Sequence, residues 1–185
     1  EELVPISEYN KTKMIAERVF LSYQKNIKIF CIRPATVCGV SPRMRLDVAV
    51  NILTYSALKN KVIRVFGGNQ IRPNIHIEDI CAVYEFFLEN DFESGCYNAG
   101  FENISILDIA KLVQKKLNNT EIVIEKSNDP RSYRQCSEKL LNLGFKPLKN
   151  VESAIDEIIL AFKNKELYDG EKSNSVKNLK TLKVR

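Results

Sequence analysis

Tryptophan is absent from the 185 residues, and histidine occurs once, at position 76. The seven glycines never fall into a GxGxxG, GxxxxGK[ST] or GxSxG pattern. Each absence excludes a class of chemistry. A single histidine argues against a multi-histidine metal centre and against a His-based triad. His76 stands in the apolar run NIHI, where a hydrogen-bonded structural imidazole is the plainer reading. Without the glycine patterns the chain holds no dinucleotide-binding turn, no P-loop and no nucleophile elbow. Five cysteines form an odd set with no CxxC pair, so neither a disulfide framework nor a structural zinc site is supported. A reducing cytoplasm is the expected compartment. The three N-x-S/T sequons, at Asn10, Asn103 and Asn118, are then chance matches. No apolar run approaches the roughly 20 residues of a membrane span. No basic segment leads into an apolar stretch at the start, so neither a signal peptide nor a membrane partner is expected.

With 44% hydrophobic and 28% charged residues, the composition is that of a soluble globular domain. The net charge of +5 could hint at nucleic acid, but its location argues otherwise. Seven Lys or Arg against three acids fall at or after Lys163, which leaves about +1 for everything before. That is a basic, solvated tail, and no nucleic-acid motif accompanies it.

Helical and strand patterns alternate. Ser7 to Lys25 reads as a helix, and Ile27 to Ile32 as a short strand of the doubly buried, parallel kind, ended by Arg33-Pro34. Residues 39–45, GVSPRMR, form an irregular loop. A helix over Leu46 to Asn60, a strand over Val62 to Phe66, a turn at GGNQ, a strand over Asn74 to Ile77 and a helix to Leu88 follow. Then come a strand over Cys96 to Ala99, a helix capped by Ser105 and a strand over Glu121 to Glu125. Helices near Ser137 to Leu143 and Val151 to Lys163 close the folded part. Strands separated by helices predict βαβ units and a parallel sheet.

Tyr9 and Lys13 form YxxxK on the first helix, and a spacing of four puts both on one face. An ammonium beside a phenol favours the phenolate. Such a tyrosine can move the proton of a sugar hydroxyl while hydride passes to or from a nicotinamide. The pattern alone is weak, because Tyr55/Lys59 and Tyr168/Lys172 match it too. Context selects Tyr9, whose helix feeds a buried-type strand, and ligands bind outside the carboxyl ends of such strands.

The ordered runs SEYNKTKMIAE, IRPATVCGVSPRMRLDVAVN, IRVFGGNQIRPNIHIEDI, CYNAG, DPRSYR and LGFKP resemble the C-terminal half of an extended short-chain dehydrogenase/reductase. Within that group the chain is similar to the nucleotide-sugar epimerase/dehydratase family, over residues 5 to about 163. The resemblance implies an α/β fold: the last part of a Rossmann-like parallel sheet plus a small α/β substrate-binding domain. Residues 1–40 would close the cofactor domain and 41–163 would mainly form the substrate domain, with 74–100 returning a strand and helix to the Rossmann sheet. Residues 164–185 would be a polar tail.

The resemblance also implies roles. Tyr9 is the acid/base, Lys13 holds the nicotinamide ribose, and Arg33-Pro34 lie beside the nicotinamide of NAD or NADP. Thr36 falls where many relatives carry a substrate-contacting Asn, and Cys38 replaces a frequent Tyr. Asn51 and Arg72 match the diphosphate-binding positions, and an arginine fork suits phosphate oxygens. Val65 and Phe66 resemble the base-binding strand, and Asp129 and Arg131 match a segment that touches the nucleotide. The family's glycine fingerprint, its acidic ribose reader and its assisting Ser/Thr all precede this tyrosine, so the N-terminal half is expected to be missing here. The partners implied are a nucleotide-sugar and that N-terminal half, with a homodimer as a further possibility. The rival reading is a non-catalytic NAD(P)- or nucleotide-sugar-binding regulatory module of the same fold. Retention of both Tyr9 and Lys13 speaks against it.

Overall fold

A computed structural model describes residue 5 and residues 7–127, 132–167 and 173–174. Helix α1 spans Glu8–Ser22, and the Ser7 hydroxyl caps it by accepting from the Asn10 amide at 3.2 Å. Strand β1 covers Phe30–Pro34, and β2 covers Thr36–Cys38 one residue later. Helix α2 (Ala49–Asn60) leads into β3 (Val62–Phe66) and β4 (Ile71–His76). Helix α3 (Ile77–Glu89), β5 (Gly95–Ala99), β6 (Glu102–Ser105), α4 (Ile106–Lys116) and β7 (Glu121–Glu125) follow. The short α5 (Glu138–Asn142) and α6 (Val151–Lys163) come last among the described elements.

The sheets are mainly parallel. Strand β1 pairs with β5, with Cys31 opposite Cys96 and Pro34 opposite Ala99. Strand β2 pairs parallel with β4, and β4 pairs antiparallel with β6. Strand β3 runs parallel to β7, in register from Val62–Glu121 to Phe66–Glu125. Parallel neighbours need long crossovers, which the intervening helices supply. Two apolar clusters result. One gathers Val50, Leu53, Ile63, Val65, Val113 and Ile155 among α2, β3, α4 and α6. The other gathers Ile75, Val83, Phe87, Tyr97 and Leu140, with Phe87 and Tyr97 ring centroids 4.6 Å apart.

The structure corrects several sequence boundaries. The first strand is not Ile27 to Ile32. Ile27 is exposed, and pairing with β5 sets the strand at Phe30–Pro34. Arg33-Pro34 therefore continues the strand, and proline is tolerated there at its last position. None of its five residues is fully buried, contrary to the doubly buried reading. Helix α2 begins at Ala49 rather than Leu46, and β4 begins three residues earlier than Asn74. Strands β2 and β6 have no counterpart in the sequence reading. At three and four residues they are too short for a periodic signal, and they exist because β4 lies between them. Ser105 caps α4 as expected, accepting from the Asp108 amide at 3.0 Å and donating to its carboxylate at 2.6 Å.

Candidate active site

The carboxyl ends of β1 and β2 open onto a cavity of about 1440 Å³. That exceeds the roughly 300–1,000 Å³ of a site for one small ligand and leaves room for two. Tyr9 reaches it from α1, Arg33 and Pro34 from β1, Thr36 from β2 and Asn51 from α2. Segments distant in sequence thus converge on one space.

Tyr9 lies at the start of α1 and is 69% exposed, so its hydroxyl is available to a ligand. Lys13 Nζ sits 5.4 Å from the Tyr9 ring centroid. The same separation recurs for Lys59 over Tyr55, so the pair geometry does not distinguish the two. The cavity does. Tyr55 packs edge-on against Phe162 at 6.0 Å and does not line it, whereas Tyr9 does. Tyr168 lies outside the described residues.

Arg33 is fixed by Glu17 of α1, whose two carboxylate oxygens accept from Nε at 2.7 Å and Nη2 at 2.6 Å. These hydrogen bonds hold the Glu17 carboxyl below the usual carboxylate range, against the opposing effect of its partial burial. The fork ties α1 to the strand that carries Arg33.

Asn51 is 2% exposed, and both ends of its amide are engaged. Its Oδ1 accepts from the Gly39 amide at 3.1 Å, and its Nδ2 donates to the Arg45 carbonyl at 2.8 Å. It braces the loop over residues 39–45 from inside. Gly39 has φ +106°, and a Cβ there would approach His76 Nε2 to 2.9 Å, so only glycine fits.

Arg72 and Phe66 do not line the large cavity. They face a neighbouring one of about 310 Å³, together with Gln70 and Ser127. The Arg72 guanidinium lies 5.7 Å from the Tyr133 ring, and its Nη1 donates to the Ile71 carbonyl at 3.2 Å. Phe66 is half-exposed, whereas the Val65 side chain is buried in the core and cannot touch a base. Asp129 and Arg131 lie outside the described residues.

Among the lining groups to which the sequence reading gave no role are Arg43, Arg45, Arg134 and Gln135. The two arginines of GVSPRMR stood in a segment read as loop and quoted for the resemblance, but neither was given a role. Arg134 closes the quoted run DPRSYR without having been given a role, Gln135 follows it, and the fold brings both to the cavity. Cys38 also lines the cavity, but burial pushes its thiol up to about 12, so it is inert at neutral pH. Burial likewise raises Cys31, and raises Cys96 to about 11.

His76 is structural. Its Nδ1 accepts from the Glu78 amide at 3.2 Å, capping α3, and its Nε2 lies 3.0 Å from Glu157 Oε2. These partners assign the ring proton to Nε2. His76, Glu78 and Glu157 bring ligand atoms within 4.8 Å of one another. The cation beside them is Lys149, 2.9 Å from Glu157 and 3.4 Å from Glu78.

Residues 1–100 match the family model described as the NAD dependent epimerase/dehydratase family. The chain belongs to that family. It is 26% identical over 174 residues to an anthocyanidin reductase ((2S)-flavan-3-ol-forming) from Vitis vinifera, covering 88% of this chain and 51% of that protein. Among solved structures, a dTDP-glucose 4,6-dehydratase from Bacillus anthracis in complex with NAD superposes with a TM-score of 0.77 at 22% identity. That match covers 90% of this chain and 56% of the other. A UDP-glucuronic acid 4-epimerase from Bacillus cereus, in complex with UDP-glucuronic acid and NAD, superposes with a TM-score of 0.73 at 27% identity. It covers 89% and 55%. The chain therefore spans about half the length of the relatives it matches. Its α/β fold with parallel sheets is the Rossmann-like fold of extended short-chain dehydrogenase/reductases. Among the described residues no helix is long and apolar enough to cross a membrane.

Proposed function

We propose that this chain is the catalytic-helix and substrate-binding half of an NAD(P)-dependent nucleotide-sugar epimerase or dehydratase. One observation carries the reading: Tyr9, with Lys13 over its ring, opens onto the cavity that Arg33 and Pro34 also line. The cavity's size supports two ligands side by side. Lys13 would hold the ribose of a nicotinamide cofactor, and Arg33-Pro34, which line the cavity, would flank its ring. When bound, that cofactor supplies a hydride acceptor and donor. Tyr9 Oη takes the proton of the sugar hydroxyl whose carbon is oxidised, and returns it when that carbon is reduced again. The Lys13 ammonium, on the same helix face, favours the ionised phenol during that exchange.

One relative is an anthocyanidin reductase ((2S)-flavan-3-ol-forming), so a reductase whose substrate is not a nucleotide-sugar is the alternative within the family. The lining of the cavity favours the nucleotide-sugar. It holds four arginines and, among its described residues, no Asp or Glu. An acid-free, arginine-rich cleft concentrates anions.

The test is Tyr9→Phe in the intact protein that carries this chain. Turnover of a nucleotide-sugar substrate falls by roughly 10²–10⁴-fold, the usual worth of a positioned acid/base. The melting temperature stays put because the ring is mostly exposed. Tyr55→Phe, on the same YxxxK spacing, leaves turnover within a few-fold. Equal turnover in Tyr9→Phe and wild type removes Tyr9 from the mechanism.

A further inference from the structure

Strand pairing sets two of the five cysteines opposite each other. Cys31 of β1 and Cys96 of β5 are register partners in the parallel pair. Among the described residues no other two cysteines face each other across a strand pair. Alternation along each strand decides which way they point. Phe30 and Ile32 of β1, with Tyr97 and Ala99 of β5, face the second apolar cluster. Cys31 and Cys96 therefore share the other face, together with Arg33 and its partner Asn98.

That face is the one Glu17 of α1 reaches. Its carboxylate holds Arg33 by the fork and accepts from the Cys96 thiol. The Cys31 and Cys96 thiols are hydrogen-bonded to each other. Both side chains are half-buried, and both thiols are free. Neighbouring strands run about 4.7–4.9 Å apart. A disulfide needs Cα atoms roughly 4.4–6.8 Å apart, most often about 5.5–6 Å. The pair can thus be bridged with the backbone where it stands, on the tight side of the usual geometry. Tight bridges are strained, and strained bridges are the readily reduced ones. Such a bridge suits reversible closure in a reducing compartment rather than permanent stapling.

We propose that Cys31 and Cys96 are a reversible disulfide site beneath helix α1, closed by a low-molecular-weight disulfide such as oxidised glutathione. The thiolate of one cysteine attacks a glutathione sulfur, the S–S bond breaks, and a glutathione thiolate leaves and takes up a proton. The second cysteine gives up its proton, attacks the mixed disulfide and expels the second glutathione. Two protein thiols are oxidised, and one glutathione disulfide is reduced to two thiols. Closure removes the Cys96 donor from Glu17 and leaves the Arg33 fork in place. Nothing in this chemistry needs a bound substrate.

The intact protein is treated with oxidised glutathione at pH 7 and at pH 9, and its cysteines are mapped by peptide mass spectrometry with fragment-ion assignment. Burial holds both thiols above their ordinary range, Cys96 at about 11, so thiolate is scarce at pH 7. Closure accordingly runs about tenfold faster for each pH unit gained, roughly a hundredfold between pH 7 and pH 9. The peptides carrying Cys31 and Cys96 become linked and lose two hydrogens together. The exposed Cys81 and Cys136 instead acquire one glutathione each and stay unlinked. Cys31→Ser and Cys96→Ser each abolish the link, whereas Cys81→Ser and Cys136→Ser leave it. About a hundredfold excess of reduced glutathione reopens it. No link at pH 9 overturns the site, and so does a link from either cysteine to a third one. A link that survives the excess of reduced glutathione overturns its reversibility and makes it a structural staple.

Discussion

Helix α6 and helix α1 are built on opposite terms. Helix α6 buries Val151, Ala154, Ile155, Ile158 and Ala161, and with α2 and α4 it encloses the larger apolar cluster. Helix α1 buries nothing: Ile15, Val19, Phe20 and Tyr23 are each more than half exposed. Yet α1 carries the Tyr9–Lys13 pair, and α6 supplies none of the large cavity's lining residues. Burial of apolar area is the main favourable term in folding, so stability resides in the α2–α4–α6 body. The helix that presents Tyr9 is tied to the sheet by polar contacts, chiefly the Glu17–Arg33 fork. Stability and the lining of the cavity are therefore separable by mutation in this chain.

The largest contrast is expected between core truncations in the two helices. Ile155→Ala removes a fully buried side chain and costs about 2–5 kcal/mol. Val19→Ala, on the exposed face of α1, stays within about 0.5 kcal/mol. Urea unfolding of both variants measures the difference. Comparable losses would show that α1 is packed in solution as tightly as α6, and the contrast would fail.

A middle-sized effect is expected where the body is held by a buried charge. Asp79 is 1% exposed at the start of α3. Its two carboxylate oxygens accept from the Leu148 amide at 2.9 Å and the Lys149 amide at 3.1 Å, fixing the turn that leads into α6. Asp79→Ala orphans both donors and costs about 1–3 kcal/mol. Asp79→Asn keeps one acceptor and loses less. If Asn costs as much as Ala, the hydrogen bonds are not what Asp79 contributes.

The same division explains what was legible in the sequence. The elements of the body announced themselves. Strand β3 (Val62–Phe66), β7 (Glu121–Glu125) and α6 (Val151–Lys163) lie where the apolar pattern put them. Their burial is satisfied inside this chain, so period and composition report it directly. Strand β1 was misplaced because its boundaries depend on a partner strand more than sixty residues away. Strands β2 and β6 were invisible because short strands are defined by pairing, not by propensity. At the candidate site, Tyr9 of the YxxxK pair and Arg33-Pro34, both picked from the sequence, line one cavity. Arg43 and Arg134 stood inside quoted runs but were given no role, because an arginine in a loop reads as solvated. The amides of Asn51, Asn103 and Gln135 hold the backbone near them, and no local pattern shows that.

The smallest expected effect sharpens the comparison from the α1 side. The Glu17–Arg33 fork joins a helix without buried residues to β1, so its loss should loosen α1 and leave the body alone. The two side chains are 14% and 30% exposed, so the pair is partly shielded from solvent. A bidentate pair of this kind is worth about 1 kcal/mol. Arg33 lowers the folded-state pKa of Glu17 below its unfolded value, so the ionised carboxylate is the form that stabilises. That contribution is fully present above the ordinary glutamate pKa of about 4.3 and is lost as the pH falls through the depressed folded value. Glu17→Gln removes it at every pH. The variant is therefore about 1 kcal/mol less stable than wild type at pH 7, and the gap closes below about pH 4. Amide hydrogen exchange should place the loss in α1 and spare α6. A gap that stays constant from pH 7 to pH 3, or protection lost equally from α6, would mean that α1 and the body unfold as one unit.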